Sequence, residues 1–197
     1  MKIKKPELIE QKRNEIIEIA KKMIIEEGLE ALSIRKIATV MNQTPGIIYH
    51  YFKDKEEIIN NIVQLGYQDI LSVIKMGQST SPTESIYYIF KGYIKAMLDN
   101  YYLFEIIMNS SSKEIKDNVN ILNIGISKHR KSMQLLCSDI DRGNREGVFK
   151  VENIELRAQT LWCATYGLIQ RIAIEKPINR EEIIEEHLQM LLSSMRG

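Results

Sequence analysis

Residues 33–55 read SIRKIATVMNQTPGIIYHYFKDK, a stretch that fits two short helices, a tight turn and the start of a third helix. The first short helix has one apolar face, formed by Ile34, Ile37, Ala38 and Met41 at helical spacing. Ser33 stands immediately before this helix, where an N-cap residue belongs. The stretch therefore predicts a helix-turn-helix.

The turn and the second helix of this motif follow from their residue types. Asn42 is one of the few non-glycine residues that tolerate the left-handed conformation of a sharp turn between helices. Thr44 is expected to cap the second helix with its hydroxyl, and Pro45 suits the first helical position. Ile48 and Phe52 lie four residues apart on one face, so the other side chains of this helix are left to face a partner.

Long helices are predicted on both sides of the motif. One covers residues 6–27 and ends at Gly28, and another runs from residue 55 to about residue 75 with acidic residues in its first turn. A helix of about 20 residues is about 30 Å long, which is enough to connect a small head to a separate body. A polar linker follows over residues 77–82.

The rest of the chain is also helical in pattern. Ser81 and Glu84 form a capping-box pattern, and Asn153 and Asn179 are expected to cap later helices. The predicted helices beyond the linker cover residues 82–98, 101–108, 114–142, 154–175 and 180–195. No useful strand alternation appears, so we predict an all-α fold of about nine or ten helices: a three-helix head joined by a long helix to a helical body.

Composition narrows the class of protein. The chain has 197 residues and a hydrophobic fraction of 44%, and no apolar run reaches the ~18 residues that a membrane span needs. The charged N-terminus lacks the apolar stretch of a secretory leader, so a cytoplasmic location is expected. Cys137 and Cys163 are predicted to be plain buried thiols, and His129 and His187 to be surface residues. No metal and no cofactor are predicted.

Cationic residues are concentrated in the first third of the chain. Residues 1–55 hold 11 Lys and Arg against 8 Asp and Glu, a balance of +3, and the remainder has a balance of −2. The basic residues of this third that bear on the motif are Lys2, Lys4 and Lys5 in an N-terminal arm, Arg35, Lys36, Lys53 and Lys55. A mild bias is weak evidence for a polyanionic partner by itself, but several of these cations fall on the turn motif.

Residues 16–62 resemble the DNA-binding head of the TetR family of bacterial transcriptional repressors. Residues 33–38 stand where the family has a Thr or Ser cap, a hydrophobic residue and an Ile-Ala pair. Residues 42–44 match its Gly-Val-Ser turn, and residues 49–57 match its Tyr-Tyr-His-Phe, basic, Lys-Glu ending. Ile47 and Gln43 depart from the usual Thr and buried Val of the family.

The resemblance is weaker beyond the head. Residues 83–197 are divergent, although Trp162 and Tyr166-Gly167 are similar to the Trp-x-x-x-His-Gly signature of one subset, with Tyr166 in place of the His. The resemblance implies a DNA-binding domain over residues 1–54 and a helical ligand-binding and dimerisation domain over residues 55–197.

The DNA-binding residues implied by the resemblance are Ser33, Arg35, Thr44, Pro45, Gly46, Ile47, Tyr49, His50, Tyr51, Lys53 and Lys55. Physical chemistry supports the same set. The planar fork of Arg35 matches O6 and N7 of guanine, and the Lys55 ammonium can meet a phosphate together with the N–H groups of its own helix start.

The function implied is that of a ligand-responsive transcriptional repressor, which binds a pseudo-palindromic operator in double-stranded DNA as a homodimer and is released by a small apolar or amphipathic effector. The candidate effector-binding residues are Tyr93, Met97, Phe104, Met108, Met133, Trp162 and Tyr166. The candidate dimer-interface residues are Leu161, Leu168, Ile172, Ile184, Leu188 and Leu191. Aromatic and methionine stripes at helical spacing are also typical of a core, and both interpretations stay open.

Two other classes of protein remain as alternatives. An enzyme without a known motif is one, although the chain has no Gly-rich phosphate loop, no His-Glu-x-x-His and no nucleophile elbow. A helical module whose helix-turn-helix binds only protein is the other. Salt dependence of duplex binding distinguishes both from a DNA-binding protein.

Overall fold

The fold is all-α across residues 5–109 and 112–196, the parts of the chain that the computed structural model describes, with the backbone alone at residues 5, 118 and 119. These residues form eleven α-helices and one short 3₁₀ turn at Leu29–Ala31. The helices are α1 (Lys5–Glu27), α2 (Ile34–Val40), α3 (Pro45–Tyr51), α4 (Lys55–Met76), α5 (Pro82–Asp99), α6 (Tyr101–Asn109), α7 (Lys113–Val119), α8 (Ile126–His129), α9 (Lys131–Arg145), α10 (Ile154–Glu175) and α11 (Arg180–Ser193). The all-α prediction is confirmed, and the predicted count of nine or ten helices is too low.

The helix-turn-helix prediction is confirmed in α2 and α3. The Ser33 hydroxyl accepts a hydrogen bond from the Lys36 N–H at 3.2 Å, which makes Ser33 the N-cap of α2. Asn42 has a φ of 53°, the left-handed conformation expected for this turn. Thr44 precedes α3, but its side chain makes no capping hydrogen bond, so that expectation is wrong.

The predicted helix over residues 114–142 is wrong, because the chain forms three shorter helices there. Gly125 has a φ of 80°, a left-handed conformation that interrupts the helix and places α8 as a single turn. Arg130 then has an extended backbone conformation between α8 and α9. The apolar spacing is preserved through the breaks, which is why periodicity alone did not show them.

Other caps follow the sequence in part. The Asn153 side chain accepts from the Leu156 N–H at 3.0 Å and caps α10. Ser81 accepts from the Glu84 N–H at 3.4 Å, while the Glu84 carboxylate binds the Ser79 hydroxyl instead of completing the predicted capping box. Asn179 makes no capping hydrogen bond to the backbone of α11.

The helices form two compact units. The first consists of Met1–Gly66 and Tyr102–Val119, and the second of Tyr67–Tyr101 and Asn120–Gly197. The division at residue 54 into a DNA-binding and a ligand-binding domain concerns function, and it stays a prediction.

The first unit has a core of isoleucines beneath the turn motif. The fully buried members are Ile16, Ala20, Ile37, Ile48 and Ile58. A Cβ at Gly66 of α4 would overlap the side chain of Leu103 of α6, so this glycine allows the two helices to approach closely. The Asn60 amide also donates a hydrogen bond to the Glu114 carboxylate. Helices α6 and α7 are therefore part of the same compact unit as the turn motif.

The second unit has a core of aromatic and aliphatic side chains from α5, α9, α10 and α11. Its buried members include Phe90, Tyr93, Met133, Trp162 and Leu188. The ring of Trp162 lies 5.6 Å from that of Phe90 and 4.7 Å from that of Tyr93, measured between centroids. Aromatic pairs in this range contribute beyond their buried area.

Three expectations about single residues need correction or lie outside the described residues. His187 is buried and Cys163 is exposed, the reverse of what was predicted, while Cys137 is half-buried and His129 is exposed as expected. Lys2, Lys4 and the side chain of Lys5, the predicted N-terminal arm, lie outside the described residues. Within the described parts of the chain, no helix has both the length and the apolar character to cross a membrane.

Candidate nucleic-acid interface and effector site

The second helix of the turn motif, α3, has one buried and one exposed side. Ile48 is 0% exposed and Phe52 lies in the core directly after the helix, so these two residues fix α3 against the first unit. The side chains of the opposite side remain accessible: Thr44, Pro45, Gly46, Ile47, Tyr49 and His50 are exposed, with Tyr49 at 57%, and Tyr51 is half-buried. An exposed helix face on a buried anchor is the arrangement that lets a helix enter the major groove.

Arg13 of α1 holds the end of α3 in place. Its guanidinium lies 4.0 Å above the centroid of the Phe52 ring and donates a hydrogen bond to the Tyr51 carbonyl oxygen. It also pairs with the Glu57 carboxylate at 3.0 Å. One side chain thus fixes the last residue of α3 and the first turn of α4 together.

Glu57 closes the connection between α3 and α4. Its carboxylate accepts from the Lys53 N–H at 2.7 Å, and the Asp54 carboxylate accepts from the Glu57 N–H at 2.8 Å. The hydrogen bond from Lys53 and then the Arg13 guanidinium hold the pKa of the Glu57 carboxyl below its usual range. Arg13 therefore offsets one of the negative charges at a helix start that is proposed to meet phosphate.

The cations of the motif divide into paired and unpaired groups. Lys36 pairs with Glu27 at 2.8 Å, and Arg13 pairs with Glu57. In contrast, the side chains of Arg35, Lys53 and Lys55 form no ion pair with any residue that the structure describes. Three cations without an internal partner near an exposed helix suit a polyanion.

The start of α4 offers backbone donors beside Lys55. The N–H groups of the first helical turn have no acceptor within their own helix. Asp54 occupies the donor of Glu57, which leaves those of Lys55 and Glu56 at the positive end of a 22-residue helix. These donors and the Lys55 ammonium are placed to bind one phosphate oxygen each.

The two remaining members of the predicted set are accessible in different ways. Ser33 is half-buried and uses its oxygen to cap α2, so its hydroxyl hydrogen is still able to donate. Arg35 is exposed in the first turn of α2. Gln43, which replaces the usual buried Val of the family, is exposed as well.

The candidate effector-binding residues are distributed over both units. Tyr93, Met97, Met133 and Trp162 are buried in the second unit, and Tyr166 is half-buried there. Phe104 is buried in the first unit, and Met108 of the same helix is exposed. The second-unit residues are connected by ring contacts from Tyr93 to Trp162 and to Tyr166.

The candidate dimer-interface residues lie largely inside their own chain. Leu161, Ile172, Ile184, Leu188 and Leu191 are buried, and Leu168 is half-buried. The same two helices expose other large apolar side chains, namely Leu156 and Ile174 of α10 and Met190 of α11. Apolar spacing along a helix identifies a buried face but does not reveal whether another helix of the same chain already covers it.

Arg13 is a functional candidate that the sequence did not reveal. Its partners Tyr51 and Glu57 are 38 and 44 residues away along the chain, so no local pattern connects them. Only the spacing of Arg13 ahead of the apolar face of α1 was visible, and a charged residue there is typical of a solvated helix end.

A helix-turn-helix with an exposed second helix and unpaired cations defines a DNA-binding regulator. Residues 16–62 match the family described as bacterial regulatory proteins, tetR family. The chain belongs to the TetR family of transcriptional regulators.

Known relatives agree over most of the chain. The HTH-type transcriptional repressor KstR2 of Mycolicibacterium smegmatis is 21% identical over 192 residues, which cover 93% of this chain and 90% of the relative. The HTH-type transcriptional regulator HbdR of Aromatoleum sp. is 39% identical over 54 residues, 27% of this chain and 24% of the relative. The crystal structure of the TetR-family regulator PfmR from Thermus thermophilus has a TM-score of 0.71 at 22% identity, covering 90% of this chain and 97% of that one.

Proposed function

We propose that this regulator is a repressor that binds a pseudo-palindromic operator as a homodimer and releases it when a small apolar or amphipathic effector binds. The observation that carries the proposal is the exposed face of α3 flanked by the unpaired cations Arg35, Lys53 and Lys55. Since its target is bacterial DNA, the cytoplasm is the proposed location.

Phosphate contacts position the head on the duplex. Lys55 and the free N–H groups at the start of α4 bind one phosphate, and Lys53 binds beside them. Tyr49, His50 and Tyr51 donate from hydroxyl and imidazole groups to phosphates and base edges, and the Ser33 hydroxyl adds a further donor.

Base contacts come from the front of the motif. Arg35 donates both arms of its guanidinium to a guanine, the commonest specific contact in the major groove. Thr44, Pro45, Gly46 and Ile47 form the leading end of α3, where Ile47 packs on a thymine methyl group. An apolar contact there replaces the hydrogen bond of the Thr common in the family.

The functional division places the DNA-binding domain at residues 1–54 and the ligand-binding and dimerisation domain at residues 55–197. Two relatives support the repressor and effector parts of the proposal: KstR2 of M. smegmatis is called a repressor, and KstR2 of Mycobacterium tuberculosis is described as a ketosteroid transcriptional regulator. The effector acts by binding one spacing of the two heads better than the other, which shifts the population away from the DNA-competent state. Helix α4 carries this change, because it runs from one compact unit into the other.

The dimer forms through the exposed faces of α10 and α11. On α10 the exposed residues Leu156, Thr160, Cys163, Gly167 and Ile174 recur three, four or seven positions apart and therefore share one face. The six buried and half-buried interface candidates support this face from beneath. Self-association covers an apolar stripe that would otherwise meet water.

Substitutions in the motif test the DNA-binding assignment. Lys55→Ala is expected to weaken binding to all duplexes and to reduce the slope of log K against log salt by about 1, because one phosphate contact is lost. Tyr49→Ala is expected to weaken binding about tenfold, the order of one hydrogen bond to a charged group. Fluorescence anisotropy with a labelled duplex measures both.

Lys22→Ala is the matched control, since Lys22 is an exposed lysine of α1 outside the motif. It removes the same charge and is expected to leave the slope unchanged. If all three variants bound duplex DNA with wild-type affinity and slope, the residue assignment would be wrong.

A further inference from the structure

The hydroxyl of Tyr93 is buried in the second unit without a hydrogen-bond partner among the described residues. The Tyr93 ring lies 4.7 Å from that of Trp162 and 6.0 Å from that of Tyr166. Both neighbours are close enough to affect its ionisation, yet neither meets the hydroxyl with hydrogen-bond geometry. A buried polar group of this kind costs free energy and is uncommon in folded proteins.

Tyr93 keeps its proton at all ordinary pH values. Burial raises the pKa of its phenol well above 10, and the phenol of Tyr166 acts in the same direction. The hydroxyl is therefore a donor, and the nearest polar groups, the Tyr166 hydroxyl and the Trp162 indole N–H, are able to donate as well.

Arg130 brings a positive charge to the same group of side chains. It lies at the junction of α8 and α9, is half-buried, and places its guanidinium 5.9 Å from the centroid of the Tyr67 ring. Burial lowers the pKa of Arg130, and the phenols of Tyr67 and Tyr166 oppose that effect. Tyr166 is therefore a neighbour of both Tyr93 and Arg130.

These side chains select the chemistry of a ligand. Arg and Trp are donors only, and the two phenols add further donors, so the complementary group is an anionic acceptor. Buried Met97 and Met133 and the aromatic rings supply apolar surroundings for the rest of the molecule. One guanidinium matches the single charge and planar shape of a carboxylate, whereas a phosphate dianion would keep an uncompensated charge in a partly buried site.

We propose that Arg130, Tyr166 and Tyr93 form the polar end of the effector site and bind the carboxylate of an otherwise apolar molecule. This proposal rests on the proposed function, because it names the chemical class of the effector. Tyr67 positions the Arg130 guanidinium, and Trp162 forms an aromatic wall of the site.

Trp162 provides a direct measurement, since it is the one tryptophan of the chain. Its emission is followed while the full-length protein is titrated with decanoate and with phenylbutyrate, each compared with its matched alcohol. The acids are expected to bind about tenfold or more tightly than the alcohols, because a charge-assisted hydrogen bond is lost in the alcohol. Equal affinity of acid and alcohol, or no response to any of the four compounds, would overturn the proposal.

Two variants and a control assign the preference to residues. Arg130→Met is expected to abolish the preference for acids, while Arg145→Met, at an exposed arginine of α9, keeps it. Tyr93→Phe is expected to weaken acid binding several-fold while the Tm stays equal or rises, because an unpartnered buried hydroxyl is removed. A lower Tm with unchanged acid affinity would show that the hydroxyl is structural and contradict its role in binding.

The titration contains no DNA, so its outcome is independent of the repressor assignment. Failure of the proposed function appears as absence of duplex binding in the anisotropy experiment. Failure of the present proposal appears as absence of an acid preference in the fluorescence experiment. If both proposals hold, decanoate releases the labelled duplex and decanol at the same concentration does not.

Discussion

His187 shows how a single buried side chain gives the second unit a pH dependence. Its Nε2 lies 3.1 Å from the Thr165 hydroxyl, which itself donates to the Leu161 carbonyl oxygen at 2.9 Å. Since that hydroxyl hydrogen is already used, Nε2 carries the proton and donates to Thr165, the assignment that satisfies both bonds. Burial lowers the pKa of His187 from its ordinary value of 6.5.

Stability is expected to fall as the pH drops through this range. Below about pH 6.5 the unfolded chain binds a proton at residue 187 that the folded chain does not, so the free energy of unfolding decreases until the lowered folded pKa is reached. Urea unfolding of wild type between about pH 7.5 and 5.5 measures the effect. His187→Gln should flatten this part of the profile, and exposed His129→Gln should not; identical profiles for all three proteins would refute the assignment.

Arg13 and Arg130 mark the limit of sequence interpretation at this scale. The exposed residues of α3 were predictable because they lie within one short motif with a recognisable order. The partners of Arg13 and Arg130 come from other helices, so only the folded chain brings them together. His187 was misplaced for the same reason, since the helix that buries it lies elsewhere in the sequence.

At the scale of elements, the linker between α4 and α5 is held by a polar cluster on α9. Arg142 donates to the Ser79 carbonyl oxygen at 2.9 Å, to the Ser85 hydroxyl at 3.2 Å and to the Asp139 carboxylate at 2.7 Å. The Asp139 side chain is only 5% exposed, and burial raises its pKa although Arg142 acts in the opposite direction. The cluster therefore depends on Arg142 for compensation of a buried charge.

Arg142→Met is expected to destabilise the protein by about 2–3 kcal/mol, because it leaves a buried carboxylate and two linker acceptors without a donor. Arg145→Met removes an exposed ion pair with Asp141 and is expected to cost about 0.5 kcal/mol or less. Chemical unfolding of both variants compares the two values. Equal losses would mean that the linker is held by apolar contacts alone.

Most element types were predictable, and their interruptions were not. Ser33, Asn42 and Asn153 act locally, so their caps and turn followed from residue type and position. The breaks at Gly125 and Arg130 occur where the apolar spacing continues from one helix to the next, and periodicity cannot show them. The missing cap at Thr44 has the same character, because a residue suited to capping need not make the bond.

At the scale of the whole molecule, the exposed stripe on α10 leads to a test of the dimer. Ile174 is 61% exposed, and Ile25 of α1 is similarly exposed at 58%. Ile174→Glu is expected to shift the mass in light scattering from two chains to one, because it places charge in an apolar interface. Ile25→Glu should leave the mass at two chains.

Loss of the dimer should also weaken operator binding by about 10²–10⁴, since the second head no longer benefits from attachment to the first. A dimeric Ile174→Glu variant, or a monomeric variant that still binds the operator with full affinity, would contradict the proposed assembly. The sequence predicted the two helices of this interface but selected their buried face, because periodicity does not tell which side the chain itself covers.

The salt dependence of duplex binding tests the central claim most directly. The protein is titrated against a labelled duplex carrying the DNA upstream of its own gene, at salt concentrations from about 50 to 200 mM. We expect log K to fall linearly with log salt with a slope of about −6 or steeper, as for six or more phosphate contacts shared by two heads. A flat response, or no binding at the lowest salt concentration, would contradict the assignment of this chain as a DNA-binding repressor.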